Sequence, residues 1–505
     1  MEQLEKIFKN RAIYIFVWVI TVFVTLVPVI TATMPPGSDL SVHLARVYAI
    51  HQWSQDADLQ RFYDIHWEVL PNLAFDLIVL PLLRAMSPYM AGKTFVILSV
   101  LLMFGGVALI RRHYYGRVGY LPLLTGLFIY NAPVAIGLTN FYFGVGFALI
   151  GFALWLVSEP WRWWTRLAAM AVFSLALFFT HLLVLCLFGL TILLHRLQQF
   201  YHTRKINLET DGVMAGQFVL PAILLFFIHP PTHGTETVFG PLMTRVEAII
   251  SPVLYFNDFD VAVGVSLIVI IVWLVLSKRL TIITPMKFTM LFLTVLSILM
   301  PEAILGIWLV HVRLPILASL LCLATMDVKI PERGLRYLLV GALILFTVLR
   351  LDKVNHSITT CDLKKIEFKE ALSSIPRGAK ILPVIEDGAR TGDCLAGNYW
   401  HMPALAVIER SAYYPMMFVT KWPLNITPAL QQFSQKKPRP ASPQVLFGDL
   451  PAIGEAKWNK VVAEKWRSEF EYLIWLHPGV SPSKLPDNLQ PIQHGSFFTF
   501  YKIQK

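Results

Sequence analysis

Long apolar runs separated by short polar connections fill the first 350 or so residues, and the pattern then changes. Apolar segments recur at roughly 13–33, 93–110, 118–136, 140–157, 167–181, 182–195, 213–229, 260–277, 284–300, 314–326 and 335–350. Most approach the roughly 20 residues that a helix needs to cross the hydrocarbon of a bilayer. The pattern predicts a polytopic α-helical membrane protein with about eleven transmembrane helices. Residues 69–86 are nearly as apolar, but they contain Asn72, Asp76, Pro81 and Arg84. That stretch reads better as an interfacial or re-entrant helix than as a twelfth span.

The first outer loop, 34–92, then contains two such helices. The earlier one follows Pro35-Pro36-Gly37, which ends the first span. Asp39, His43 and Arg46 are spaced i, i+4, i+7 and share one face, beside an apolar stripe of Leu40, Leu44 and Val47. The expectation is a helix lying on the membrane surface, apolar side down. From about Val354 charges, Pro and Gly return. Strand-like runs at Lys380–Ile385, Tyr472–Leu476 and Phe497–Ile503 alternate with helix-like runs near Leu363–Leu372 and Met402–Ile408. The chain therefore divides into a transmembrane domain, 1–353, and a C-terminal extracytoplasmic α/β domain, 354–505.

Composition agrees. The 505 residues are 56% hydrophobic and 15% charged, with a mean hydropathy of +0.58, which excludes a water-soluble globule. The formal charge of +11 is not a nucleic-acid footprint, because the cations sit in short connections between spans. Lys6, Lys9 and Arg11; Arg111, Arg112 and Arg117; Arg162 and Arg166; Arg196, Arg204 and Lys205; Lys278 and Arg279; and Lys329, Arg333 and Arg336 all fall on one side when eleven spans are counted. The positive-inside rule makes that side the cytoplasm, with the C-terminal domain outside. Of the four cysteines, Cys186 and Cys322 lie in apolar runs and read as packing residues. Cys361 and Cys394 lie in the polar region, where an oxidising compartment would permit a disulfide.

Candidate chemistry gathers on the outer side. A carboxylate at Asp39 suits a general base, or a ligand for a divalent cation such as Mg or Mn, at a hydroxyl attacking an activated sugar. Its bland alternative is a helix cap, for Ser38 or Asp39. His43 and Arg46 strengthen the functional reading, since a cap needs neither, and Arg46 is also placed to meet lipid headgroups. Asp64 and His66 add a carboxylate and an imidazole to the same loop; a solvated loop anchored by Trp67 is their bland reading. Asn72 follows. Asn140, His181, His311 and Arg313 stand at outer ends of later spans, where polar groups are costly unless they face a cavity or a partner. Arg313 suits a lipid phosphate because guanidinium matches phosphate geometry and stays charged.

With those residues in view, the chain resembles the GT-C superfamily of polyprenyl-phosphate-dependent membrane glycosyltransferases, in an uncharacterised bacterial branch. The resemblance rests on one span, an acidic residue opening a long outer loop, two juxtamembrane helices, many further spans and a soluble outer domain. Pro71 and Leu73, in Trp67-Glu68-Val69-Leu70-Pro71-Asn72-Leu73, echo the segment that opens the second juxtamembrane helix in that superfamily. The paired-acid signature is absent, since Ser38 precedes Asp39. The resemblance implies a sugar moved from a polyprenyl-phosphate donor to a glycan, lipid or protein acceptor, with Asp39 as base or metal ligand. It also implies a bacterial inner-membrane location with a periplasmic C-terminal domain, in contact with membrane lipids and not nucleic acid. Two other readings remain open: a lipid-carrier flippase or transporter, and a non-catalytic polysaccharide assembly factor. Transporters of known type show inverted repeats and polar groups near the bilayer midplane; here the ionisable groups gather at one face.

Overall fold

The computed structural model describes residues 11–228, 237–255, 258–304, 307–385, 399–419, 423–433, 441–447, 456–477 and 486–505. The chain forms two compact units. The first comprises residues up to Thr31, Pro71–Ala74 and Phe95–His356; the second comprises Ala32–Leu70, Phe75–Thr94 and Ser357–Lys505. The first outer loop, apart from Pro71–Ala74, belongs to the same unit as the C-terminal region.

Helices form where the long apolar runs predict them, mostly within the first unit. Among the described residues, eight helices are long and apolar enough to cross a membrane: Ala12–Thr31, Pro88–Tyr115, Thr139–Val157, Trp163–Thr180, Leu182–Thr203, Leu208–Ile228, Asp258–Leu276 and Arg333–Ser374. The three other predicted segments appear as shorter apolar helices at Leu121–Ile136, Thr284–Leu299 and Leu314–Thr325. The segment predicted at 118–136 is broken for a local reason. Asn131 caps a fresh turn, its Oδ1 accepting from the Val134 amide at 3.2 Å, and Gly137 ends that turn at a φ of 95°.

Large apolar side chains stand exposed along these helices, among them Phe16, Val19 and Phe23 on the first, Val172, and Leu338 and Ile344 on the last. In water such surfaces would drive aggregation; in hydrocarbon they are the correct solvent-facing side chains. The protein is an integral membrane protein. Helices Pro88–Tyr115 and Thr139–Val157 approach backbone to backbone through small residues. A Cβ on Gly146 would meet the Ser99 carbonyl at 3.1 Å and the Met103 nitrogen at 3.0 Å. An ion pair unmarked in the sequence reading anchors the same unit: Arg350 Nε lies 2.9 Å from Asp260 Oδ1, both side chains buried. The same guanidinium donates to the carbonyls of Leu127 at 2.9 Å, Val253 at 3.0 Å and Tyr130.

The second unit contains a four-stranded sheet. We label its strands β1 (Ile381–Ile385), β2 (Tyr472–Leu476), β3 (Leu489–His494) and β4 (Phe498–Ile503). Their order is β1-β2-β4-β3, with β1 and β2 parallel, Ile381 opposite Tyr472, and β4 antiparallel to both neighbours. The near-continuous burial of β1 and β2 explains their unbroken apolar runs. Phe368, on the helix Arg333–Ala371, packs edge-on against Phe498 and Phe500. Cys361 is disulfide-bonded; Cys394 lies outside the described residues.

One expectation is corrected here. The helix predicted to lie on the membrane surface, Leu40–Gln52, is buried on every side, with Leu40, Val42, Leu44, Ala45, Val47, Ala49 and Ile50 all in the core. The helix packs against Leu405–Arg410, whose Leu405, Ala406 and Val407 are themselves buried, and its Leu44 lies against Gly92. The apolar cover is protein, not lipid. The second expected interfacial helix appears as Ala74–Leu82, far too short to span.

Candidate active site

The segment leading to Asp39 is pinned by side chains from distant parts of the second unit. Lys93 Nζ donates to the Ala32 carbonyl at 2.8 Å. The Asp362 carboxylate accepts from the Thr33 and Met34 amides at 2.6 and 2.8 Å. Lys365 Nζ donates to the Pro35 carbonyl at 3.0 Å. Gly37 turns the chain at a φ of 116°, a conformation that side-chain-bearing residues avoid. Asp39 then stands at the N-cap position of Leu40–Gln52 without making a side-chain cap hydrogen bond. The capping reading gives way to a carboxylate turned elsewhere. Its Oδ1 lies 3.4 Å from His401 Nε2, and the Asp39 side chain keeps 23% of its surface exposed against 7% for His401.

His401 was not singled out from sequence. Its ring packs edge-on to Phe418, centroids 5.3 Å apart, and the other face of the cluster brings His43 against Phe418 at 5.2 Å and Phe75 at 5.5 Å. Burial pushes the His401 pKa down to about 4, so the ring is neutral at pH 7. Burial, then the charge of Arg46, then His401 hold His43 well below its usual value too. Facing a carboxylate, a neutral His401 carries its proton on Nε2 and leaves Nδ1 as acceptor. Tyr414 Oη stands 3.5 Å from that Nδ1. Burial, Tyr63 and the Asp39 charge raise the Tyr414 pKa well above its ordinary value, so its hydroxyl keeps its proton.

Arg46 does not meet lipid headgroups. It is wholly buried and grips Asp76 with two hydrogen bonds, Nε to Oδ1 at 2.9 Å and Nη2 to Oδ2 at 2.7 Å. The headgroup expectation failed because Asp76, on the Ala74–Leu82 helix, supplies the anion. Asp64 and His66 stand on a two-stranded ribbon instead: Asp64 pairs with Asn425, and the His66 amide donates to the Pro423 carbonyl at 2.7 Å while its side chain is exposed.

In the first unit, four of the residues named from sequence come together. Asn72, at a φ of 67°, accepts on its carbonyl from Asn140 Nδ2 at 2.5 Å and on its Oδ1 from the Leu182 amide at 2.9 Å. The Leu73 amide donates to the Phe179 carbonyl at 2.6 Å. These bonds seat Pro71–Ala74 at the break between Trp163–Thr180 and Leu182–Thr203, where His181 stands. Arg313 Nη1 lies 3.3 Å from His181 Nε2, Nη2 donates to the Trp308 carbonyl at 3.0 Å, and the guanidinium stacks over Phe141 at 5.3 Å. Because Arg can only donate, His181 Nε2 is the acceptor and its proton sits on Nδ1. That Nδ1 is buried and has no hydrogen-bond partner among the described residues. His311 is buried two residues before Arg313, with its Nδ1 likewise unpartnered among the described residues.

The donor set at Asp39 is thin for a resident metal. Among the described residues no group of three or more His, Cys, Asp or Glu side chains could hold an ion. Asp39 and His401 supply two donors, and a divalent cation there would take the rest of its shell from substrate and water.

No family model matches the chain, and no curated protein matches it in sequence. Solved structures do. ArnT from Cupriavidus metallidurans bound to undecaprenyl phosphate superposes with a TM-score of 0.53 over 97% of this chain and 98% of that one, at 12% identity. The apo state of the same protein gives a TM-score of 0.50 over 97% of each chain, at 13% identity. The chain has the ArnT fold. ArnT is a GT-C glycosyltransferase, so the architecture expected from the resemblance, membrane helices with a small sheet-bearing unit, is the architecture observed. Identity this low carries the ArnT fold across and nothing of its chemistry.

Proposed function

We propose that the protein is a membrane glycosyltransferase that uses a polyprenyl-phosphate-linked sugar and acts on the extracytoplasmic side. The observation that carries this reading is Asp39, a partly exposed carboxylate on a pinned loop that declines its own helix cap, in a chain with the ArnT fold. In the reaction, Asp39 takes the proton of an acceptor hydroxyl while that oxygen bonds to the anomeric carbon. The bond from the anomeric carbon to phosphate oxygen breaks, and the electron pair leaves on the polyprenyl phosphate, which gains one negative charge. A single displacement of this kind inverts the anomeric centre. Within the first unit, the group best suited to an anionic lipid phosphate is Arg313, because its charge is permanent and the neighbouring His181 offers a further N–H. The disulfide at Cys361 supports an oxidising, extracytoplasmic surrounding for the second unit. Eleven crossings, counting the three shorter apolar helices, fit the same orientation.

The test is incubation of purified protein with radiolabelled undecaprenyl-phosphate sugars and candidate acceptors. Acceptor-dependent release of undecaprenyl phosphate is the expected result; a panel of such donors left intact counts against the reading. Two outcomes follow within that assay. Arg313→Lys raises the donor KM by about 10-fold, and Arg313→Met by more, since each loses part of a charge-assisted fork worth roughly 1.5–3 kcal/mol per bond. A donor KM unchanged in both variants removes the phosphate role. Transfer by the wild-type protein persists in excess EDTA; loss in EDTA with recovery on Mg or Mn would instead give Asp39 a metal.

A further inference from the structure

We propose that His401 is the positioning residue for Asp39, donating its Nε2–H to one carboxylate oxygen while the Tyr414 hydroxyl holds the ring from its Nδ1 side. The inference rests on the reading of Asp39 as the base and extends it to the C-terminal part of the chain. Nε2 lies 3.4 Å from Asp39 Oδ1, and Tyr414 Oη lies 3.5 Å from Nδ1 and 3.4 Å from the Trp400 carbonyl. Tyr414 is itself fixed, its amide donating to Tyr63 Oη at 2.9 Å. Tyr63 Oη lies 3.3 Å from the Ala412 carbonyl. The chain of contacts runs from a rigid, buried aromatic cluster outward to a carboxylate that remains partly in solvent. A general base oriented by a second group, itself oriented by a third, is how a proton acceptor is kept in one geometry.

Packing alone offers a rival account. His401 sits edge-on to Phe418, and a ring of similar size fills that space without any hydrogen bond. The two accounts separate in substitutions. His401→Phe keeps a ring and removes the donor; His401→Gln loses the ring and keeps an N–H near the position of Nε2.

The experiment measures kcat and KM for the radiolabelled undecaprenyl-phosphate sugar that the wild-type protein turns over, in the full-length protein. His401→Phe is expected to lower kcat by about 30–100-fold, with donor KM within about twofold, because a misplaced base costs on that order. His401→Gln is expected to recover kcat to within about fivefold of wild type, and Tyr414→Phe to fall between the two. On an Asp39→Asn background, His401→Phe adds no further loss, since its effect runs through the carboxylate. Wild-type kcat in His401→Phe overturns the proposal, and so does equal impairment of His401→Phe and His401→Gln. Failure of the underlying reading looks different: an Asp39→Asn protein with full activity removes the base itself, whatever His401 does.

Discussion

Asp39→Asn is expected to lower transfer by about 10²–10⁴-fold, the range a general base contributes, while the protein stays folded in the membrane. The amide is isosteric with the carboxylate but cannot take the acceptor proton at neutral pH. Stability should change little, because Asp39 makes no side-chain cap to its helix and the preceding segment is fixed by Lys93, Asp362 and Lys365. The check is a pair of measurements on one preparation: turnover of the donor, and thermal unfolding in detergent. A cap residue would give the opposite pattern, with about 0.5–2 kcal/mol lost from stability and turnover preserved. Retained turnover in Asp39→Asn refutes the catalytic role.

Several of the residues described above were legible in the sequence, and those that were not share a cause. Hydropathy located the membrane helices because hydrocarbon imposes a length and a composition on any crossing segment. The unbroken apolar run at Tyr472–Leu476 and the largely apolar run at Phe497–Ile503, interrupted by Thr499 and Lys502, marked the two central strands of the sheet. Asn140, His181, His311 and Arg313 were legible as a group because each is a polar residue at a hydrophobic boundary; of these the structure sets Arg313 against His181, and it sets Asn140 against Asn72 of the first outer loop. His401 was not, since no local pattern connects a histidine near the start of a short helix with an aspartate at the other end of the chain. Periodicity misled at Leu40–Gln52 for a related reason. A stripe of Leu40, Leu44 and Val47 reports that apolar cover is needed, not whether protein or lipid supplies it. Arg46 carried the same ambiguity: a buried cation requires an anion, and the spacing that named Arg46 could not name Asp76.

Breaking that pair is expected to be the most destabilising single change in the second unit. Arg46→Met or Asp76→Asn leaves one buried group without its partner, at a cost of about 3–5 kcal/mol. For a unit of this size that corresponds to a fall in melting temperature on the order of 10 °C. An exposed pair would cost about 0–1 kcal/mol, so the magnitude itself tests the burial: both side chains are within 1% of complete burial and joined by two hydrogen bonds. The double variant Arg46→Met with Asp76→Leu should recover most of the loss, because removing both charges also removes both desolvation penalties. Thermal unfolding of the wild type, Arg46→Met, Asp76→Leu and the double variant in one detergent closes the cycle. A melting temperature that barely moves in either single variant would mean the pair is hydrated and idle. The consequence for activity is indirect but definite. Arg46 ties the helix that begins beside Asp39 to the Ala74–Leu82 helix, so the single variants should lose turnover in step with unfolding, whereas Asp39→Asn loses it in a protein that still melts at the wild-type temperature.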